Sequence, residues 1–560
     1  MGSDAKKLPL GLSDFKTVID EGYTYIDKSL FIQELVEKGV TAALLPRPRR
    51  FGKTLNLSML RYFFEKSDED TSYLFKSLKI WQNESCRALQ GQFPVIFISF
   101  KDVKQTSWAH AFEFLRGVIA GEFNRHRIVF ESETLSLEEK ELYHKILTEK
   151  ASSTLLERSL SLLTEWLCRY YGKKVILLID EYDTPAHTAY VGKFYDELMA
   201  FLRTWLSAGL KDNPFLEQGV LTGILRIVKE SIFSGLNNVM TFTILQDDFQ
   251  DKFGLTELEV KQLLKDYHLL DKWDLIKQWY NGYRIGAQEG IFNPWSVLSC
   301  IASKGALAPY WVNTSDNALM RQLITQGSEE FKTDVEELLR GASIEKTVEE
   351  GLIFTDLHKK TKTVWSLLLF SGYLSLVTTP KYGTPCSLRI PNAEVREIYE
   401  SVIKGWFEDT LSERQYGLLL QSLTSGDRST FSQLFQKFLL SSFSFFDFSA
   451  EEPGRIYHSF VLGMLLGLKD RYEVKSNRES GYGRYDVMLI PKKPQELGIV
   501  FEFKKAEDKI DLDSVAISAL QQIEERQYDL ELKERGVRRI LSLGMAFQGK
   551  SVAISSKFIT

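Results

Sequence analysis

Gly52-Lys53-Thr54 is a run of residues suited to holding the phosphates of a nucleotide. It follows the apolar run Thr41 to Leu45, which reads as a short buried strand. It precedes Leu55 to Phe64, where Leu55, Met59, Leu60, Phe63 and Phe64 recur at helical spacing. In the order strand, loop, helix, backbone N–H groups at the helix N-terminus face an anion and the helix dipole favours it. Lys53 would then reach the β- and γ-phosphates, and the Thr54 hydroxyl would ligate Mg²⁺. Arg47 stands where the general G-x-x-x-x-G-K-[ST] pattern has its first glycine, and Pro46 and Pro48 stiffen the loop.

A second pair of chemical groups lies downstream. Val175 to Ile179 is an unbroken apolar run, which implies a strand buried on both faces, as in a parallel sheet. It ends in Asp180-Glu181, and the C-terminal ends of such strands are where these sheets bind ligands. Asp180 would hold Mg²⁺ through water and Glu181 would polarise the attacking water. A solvated acidic turn would use the same residues, but a phosphate loop upstream in the right chain order argues against it. Gly219 to Arg226 reads as a further apolar strand. In ATPases with an additional central strand, a polar residue at its tip senses the γ-phosphate, and Thr222 and Arg226 occupy that kind of position. The alternative is that Thr222 caps the strand and Arg226 pairs with a structural acid.

The C-terminal stretch carries a third constellation. A helix-like run, Tyr457 to Leu468, precedes strands read at Tyr472–Asn477, Arg484–Ile490 and Leu497–Lys504. A helix with Val515, Ala519, Gln522, Ile523 and Tyr528 follows, then strands over 537–544 and 551–556. Helix, three strands, helix, strand is the order of a restriction-endonuclease-like core. Asp486 opens the second strand, and Glu502 and Lys504, two apart on the third, share one face. Two carboxylates that grip Mg²⁺ beside a lysine that orients the attacking water are what phosphodiester hydrolysis requires. Exposed strands often alternate acids and lysines, but Ile499-Val-Phe-Glu-Phe-Lys504 is too apolar for a solvated face. Charges buried there without partners or metal would be costly.

The elements that must position these groups follow from the whole chain. At 560 residues it is too long for one core, so about two to four domains are expected. The fold class expected is α/β: an N-terminal nucleotide-binding domain with a parallel sheet over 1–240, a mostly helical lid or arm over 241–445, and a restriction-endonuclease-like α/β domain over 446–560. Residues 107–170 are helical by periodicity, and Leu352 to Pro391 has room for a few strands. The middle region shows no chemistry of its own; Trp273, Trp279, Trp295 and Trp311 read as core. Net charge is −5, so any contact with nucleic acid must come from local patches. Four separated cysteines without a C-x-x-C pair argue against a zinc site and a disulfide framework. With no apolar run near the roughly 18–20 residues that span a bilayer, and no signal-peptide core, a cytoplasmic protein that does not use a membrane is expected.

With these motifs in place, the chain resembles over nearly its full length the AAA-ATPase-like proteins that carry a C-terminal PD-(D/E)XK nuclease domain. The N-terminal likeness rests on Arg47-Pro-Arg-Arg-Phe-Gly-Lys-Thr54, Leu178-Ile-Asp-Glu-Tyr-Asp183, Thr222-Gly-Ile-Leu-Arg226 and Ser234-Gly-Leu-Asn-Asn238. The arginine-rich loop is that family's usual form. The C-terminal likeness rests on Tyr457-His458, Ser480-Gly-Tyr-Gly-Arg-Tyr-Asp486, Glu502-Phe-Lys504, and Ala519-Leu-Gln-Gln-Ile523 with Tyr528. The resemblance implies ATP on Arg49, Arg50, Phe51, Gly52, Lys53 and Thr54, with Thr222 and Arg226 near it, and Asp180 and Glu181 for hydrolysis. It implies Asp486, Glu502 and Lys504 for phosphodiester cleavage, supported by Gln522 and Tyr528. Many nucleases of that superfamily have a further acid or histidine on the first helix; His458 fits that place, with Glu451 and Glu452 as alternatives. The motif proline is replaced by Tyr485.

The function implied is an ATP-regulated nuclease using Mg²⁺, with Mn²⁺ an option at the nuclease site. Arg478, Arg484, Lys504 and Lys505 would meet the phosphates of nucleic acid, DNA being favoured over RNA. A rival is an NTP-dependent switch whose nuclease-like domain binds nucleic acid or protein without cutting. A third reading has Arg47, Arg49 and Arg50 clamp the phosphates so that ATP is bound but not hydrolysed, against which Glu181 argues. ATPases of this kind often complete their site with a neighbour's arginine, which leaves a homo-oligomer open.

Overall fold

A computed structural model describes residues 6–227, 238–311, 329–352, 361–378, 384–410, 413–442, 461–480, 483–506, 510–548 and 551–559. In chain order the first strands are β1 (Ala42–Pro46), β2 (Val95–Ser99), β3 (Val175–Asp180), β4 (Leu216–Gly223), the short β5 (Arg226–Ile227) and β6 (Val239–Thr241). All but β5 join one sheet in the order β2-β3-β4-β1-β6, and every pair in it is parallel. β1 and β3 are buried along their whole length, as unbroken apolar runs require. β4 lies between them as the additional central strand. Its Thr222 pairs with Leu45, next to the loop after β1, while Ile179 pairs with Leu221 and brings Asp180 level with Thr222.

Two units emerge from the contacts: Met1–Trp311 with Ser343–Glu394, and Val312–Ala342 with Val395–Thr560. Helices Trp108–Arg125, Ser153–Tyr171 and Tyr195–Leu210 accompany the parallel sheet in the first unit, and so does the helix Lys53–Phe64 that follows the loop. The same unit holds the hairpin β7 (Tyr283–Ile285) and β8 (Gln288–Ile291), and the helix Pro294–Ala302. It also contains β9 (Ile344–Lys346), β10 (Gly351–Leu352), β11 (Ser375–Leu376) and β12 (Cys386–Arg389). β10 pairs with β5, and β9, β12 and β11 form a small antiparallel sheet. The expected strands between Leu352 and Pro391 are joined by a helix, Thr361–Ser371.

In the second unit, helices Glu413–Ser425 and Arg428–Ser442 pack on a five-stranded sheet. Its strands are β13 (Tyr472–Ser480), β14 (Gly483–Pro491), β15 (Gly498–Lys505), β16 (Ile540–Gln548) and β17 (Ser551–Ile559), paired in that order. The β15–β16 pair alone is parallel, so the chain must cross over between them, and the helix Leu512–Glu525 makes that crossing. Side chains alternate: Val487, Leu489, Ile499 and Phe501 meet the two helices, and Met488 and Val500 join a second core with Ile523 and Tyr528. Both faces of the sheet are thus covered. His458, Glu451, Glu452 and Ser234 to Asn237 lie outside the described residues. Among the described residues no helix is long and apolar enough to cross a membrane.

Candidate functional site

The loop after β1 turns into its helix at Gly52, whose φ of 83° is one that glycine alone adopts without strain. Lys53, only 6% exposed, donates through Nζ to the carbonyls of Arg47 (3.1 Å) and Pro48 (2.9 Å). Burial pulls its pKa down, although Glu181, Asp183 and Asp180 all oppose the shift. Thr54 Oγ1 donates to Asp180 Oδ2 (2.8 Å), and Thr222 Oγ1 donates to Asp180 Oδ1 (2.7 Å). Three segments distant in sequence therefore meet on one carboxyl. Burial raises the Asp180 pKa even though both hydroxyls favour the ionised form. A hydroxyl and a carboxylate are hard oxygen donors, which fits Mg²⁺. Glu181, with φ 50°, accepts a bond from Thr184 Oγ1 (3.0 Å).

Arg226 does not continue the central strand. Asp183 takes the amides of Ile224 (2.9 Å) and Leu225 (2.8 Å) on its Oδ2, and these bonds turn the chain out of the ladder after Gly223. A Cβ on Gly223 would lie 2.4 Å from Asp183 Oδ1, so the corner demands glycine. Arg226 starts β5 instead, with Nη1 4.0 Å from Glu350, a structural acid of the kind the alternative reading required. Asp183 has no role in the sequence reading, although it closes the acidic run that begins at Asp180.

The arginines divide in a way that corrects the phosphate-clamp reading. Arg47 is fully buried and donates to the carbonyls of Pro46 (2.8 Å), Phe242 (2.7 Å) and Asp248 (3.2 Å). Burial lowers its pKa to about 9. It is bound inside the domain and cannot clamp a ligand. Phe51 is 2% exposed and packs edge-on against Tyr283, so its backbone alone is left to face a phosphate. The Arg49 carbonyl accepts Asn293 Nδ2 (3.4 Å), and the Arg50 guanidinium lies 4.1 Å from the centre of the Trp295 ring. Gly254 N–H donates to the Phe51 carbonyl at 3.1 Å. The middle region, in which the sequence shows no chemistry, thus frames the loop. The available signal was Asn293-Pro294, an N-cap and N1 pair that fixes where the next helix starts.

In the second unit, Asp486 and Glu502 face each other one step beyond the Val487–Phe501 pair of β14 and β15. Asp486 Oδ2 accepts the Phe503 N–H at 2.7 Å. Glu502 is 6% exposed; Gln522 Nε2 donates to its Oε1, while its buried Oε2 has no hydrogen-bond partner. Burial, together with the Asp486 charge, pushes the Glu502 pKa up to about 8, against the pull of Lys504. Gln522 also lies 3.4 Å from the Tyr528 hydroxyl. Lys504 Nζ donates to Ser518 Oγ (2.9 Å), a residue of the crossover helix. An open cleft of about 490 Å³ is lined here by Lys504, Ser518, Gln522 and Tyr528 among others. Among the described residues no group of three or more His, Cys, Asp or Glu could hold a metal. Asp486 and Glu502 are the residues that could hold a cation here, and the partnerless Glu502 oxygen fits a hard divalent ion.

Residues 9–233 match the family model described as "Predicted AAA-ATPase", and residues 452–557 match that of the PD-(D/E)XK nuclease superfamily. A protein of Azotobacter chroococcum mcd 1, described as "Uncharacterized protein in vnfD 5'region", is 26% identical over 567 residues that cover 98% of each chain.

Proposed function

We propose that this chain, which joins an AAA-ATPase-like domain to a PD-(D/E)XK nuclease-superfamily domain, is an ATP-regulated, Mg²⁺-dependent nuclease of the cytoplasm that cuts DNA in preference to RNA. The observation that carries this reading is the facing Asp486–Glu502 pair, in which the Glu502 carboxyl is buried and one of its oxygens is left without a partner. Such an arrangement costs stability unless a cation completes it.

In the nucleotide domain, Lys53 would exchange its two loop carbonyls for the phosphates of ATP, and Thr54 and Asp180 would hold Mg²⁺. Glu181 would take the proton of the attacking water. In the nuclease domain, Asp486 and Glu502 would hold the ion, and Lys504 would steer water and steady the charge that develops on the scissile phosphate. Ser518 fixes the reach of Lys504, and Gln522 fixes the Glu502 carboxyl. When bound, Mg²⁺ supplies positive charge to phosphate oxygens at both sites. ATP binding or hydrolysis in the first domain would gate cutting in the second. The match to the Azotobacter protein over 98% of both chains supports reading the two domains as one working unit.

The test is incubation of the full chain with labelled single- and double-stranded DNA and RNA, with Mg²⁺ or Mn²⁺, with and without ATP. Metal-dependent cutting that changes with ATP is expected. Lys504→Ala should lower cutting by about 10²-fold or more while ATP turnover persists; preserved cutting would remove Lys504 from the site. ATP turnover without cutting in any condition would favour the binding switch.

A further inference from the structure

Among the arginines near the phosphate loop, Arg47 is bound inside the domain and Arg226 lies beside Glu350. Arg50 differs from both. Its side chain is exposed, its backbone is left-handed (φ 66°), and it stands three residues before Lys53. A non-glycine residue in that conformation is strained, and such strain persists where surrounding contacts hold it.

The contact that holds Arg50 is the face of Trp295, 4.1 Å from the guanidinium. Trp295 is fixed at both ends. Its Nε1 donates to the Tyr310 carbonyl (3.1 Å), and its backbone N–H donates to Asn293 Oδ1 (3.0 Å). Asn293 in turn donates through Nδ2 to the carbonyl of Arg49 (3.4 Å), so the platform is tied to the backbone of the loop it serves. Glu181, the residue proposed to take the proton from water, is the acid whose charge favours the Arg50 cation. The guanidinium and the hydrolytic acid therefore share one neighbourhood.

We propose that Arg50 is an in-chain arginine finger, held ready on Trp295 and drawn from it onto the terminal phosphate when a nucleoside triphosphate binds. Arg50 is the catalytic residue and Trp295 its positioning residue; the proposal rests on the ATPase reading above. A cation over a half-buried ring is bound more weakly than a guanidinium paired with phosphate oxygens, so the terminal phosphate can win the side chain. In the step served, a bond forms from the water oxygen to the terminal phosphorus and the bond to the ADP oxygen breaks. The water proton leaves through Glu181 to solvent. Hydrolysis then requires no arginine from a neighbouring subunit.

The test uses the full-length protein with Mg²⁺ and compares wild type, Arg50→Ala, Arg50→Lys and Trp295→Phe. Wild-type specific activity should stay constant as enzyme is diluted. Arg50→Ala should lower kcat by about 10³-fold, the low end for removing an arginine finger, with KM within a few-fold of wild type. Arg50→Lys should rescue little, because an ammonium lacks the planar fork. A non-hydrolysable ATP analogue, but not ADP, should change tryptophan emission in wild type, and Arg50→Ala and Trp295→Phe should both lose that difference. A fold defect would instead raise KM and lower the melting temperature. Wild-type turnover with unchanged kcat in Arg50→Ala overturns the finger and leaves the ATPase reading intact. Specific activity that collapses on dilution overturns the in-chain assignment. Absence of turnover in wild type overturns the ATPase reading and the finger with it.

Discussion

Replacing Glu502 with glutamine should abolish cutting and yet make the metal-free nuclease domain more stable. The Glu502 carboxyl is 6% exposed, and its Oε2 has no hydrogen-bond partner. Its pKa rises from 4.5 to about 8, through burial first and the Asp486 charge second. At about 1.4 kcal/mol per pH unit, that shift sets a ceiling of about 5 kcal/mol on ionising it within the fold. Relaxation and water entry reduce this to a few kcal/mol. A carboxyl with a raised folded pKa binds its proton more tightly when folded. Stability is therefore greatest below 4.5, falls as pH rises towards about 8, and stays low above it. Glutamine keeps an acceptor for Gln522 and can donate to Asp486, and it does not titrate. The assay is hydrogen exchange on full-length wild type and Glu502→Gln in EDTA, at mildly acidic and at alkaline pH. Amides of β14 and β15 should be equally protected in both proteins at the acid end and better protected in the variant by about 2–5 kcal/mol at alkaline pH. Mg²⁺ should then stabilise wild type by mass action and leave the variant unmoved. Equal protection across the pH range, or equal stabilisation of both proteins by Mg²⁺, would refute the reasoning.

Two further outcomes concern the nucleotide domain. Asp183→Ala strips the acceptor from the Ile224 and Leu225 amides, at about 1–3 kcal/mol for each buried donor. Thermal unfolding should register the loss and ATP turnover should fall, whereas Asp183→Asn keeps an acceptor and most of the stability; an unchanged melting temperature in the alanine variant would count against this role. Thr222→Val removes one donor that favours ionised Asp180, so its pKa, already raised by burial, rises further. The acid limb of ATP turnover should then move to higher pH and the reaction should need more Mg²⁺; a pH profile and Mg²⁺ titration identical to wild type would show that Thr222 does not tune Asp180.

Local pattern carried the sheet and both acidic sites. Val175 to Ile179 could be read as a doubly buried strand because no polar residue interrupts it, and Glu502 and Lys504 share a face because strands have period two. The parts that local pattern missed depend on distant residues. Arg47 looks like a phosphate ligand in a loop, but Phe242 and Asp248 supply the carbonyls that hold it inside. The strand through Arg226 looks continuous, but Asp183 takes the amides beyond Gly223. Thr361 to Ser371 was open to a strand reading because Val364 to Phe370 is almost wholly apolar, and a helix buried on all sides has no period to betray it. Trp295 reads as core until Arg50 is found on its face.

Asp180 and Glu502 are carboxyls of the same kind in similar places, yet the chain treats them differently. Each sits toward the C-terminal end of a strand in a parallel pair, and burial raises the pKa of each. Asp180 accepts one hydroxyl on each oxygen, from Thr54 and Thr222. It is therefore satisfied without a cation, and on the proposed reading Thr54 would turn from the acid to a metal that arrives with the nucleotide. Glu502 has a donor on one oxygen and none on the other, and Asp486 faces it. Either a proton or a cation would meet its needs, and a proton there would keep a cation out. On the proposed reading, the metal would accompany the substrate in the nucleotide domain, whereas in the nuclease domain it would belong to the folded state. Chelation should accordingly loosen β15 and spare β3, and low metal or low pH should silence cutting whether or not ATP is bound; amide exchange with and without EDTA checks the first outcome, and equal loosening of both strands would refute it.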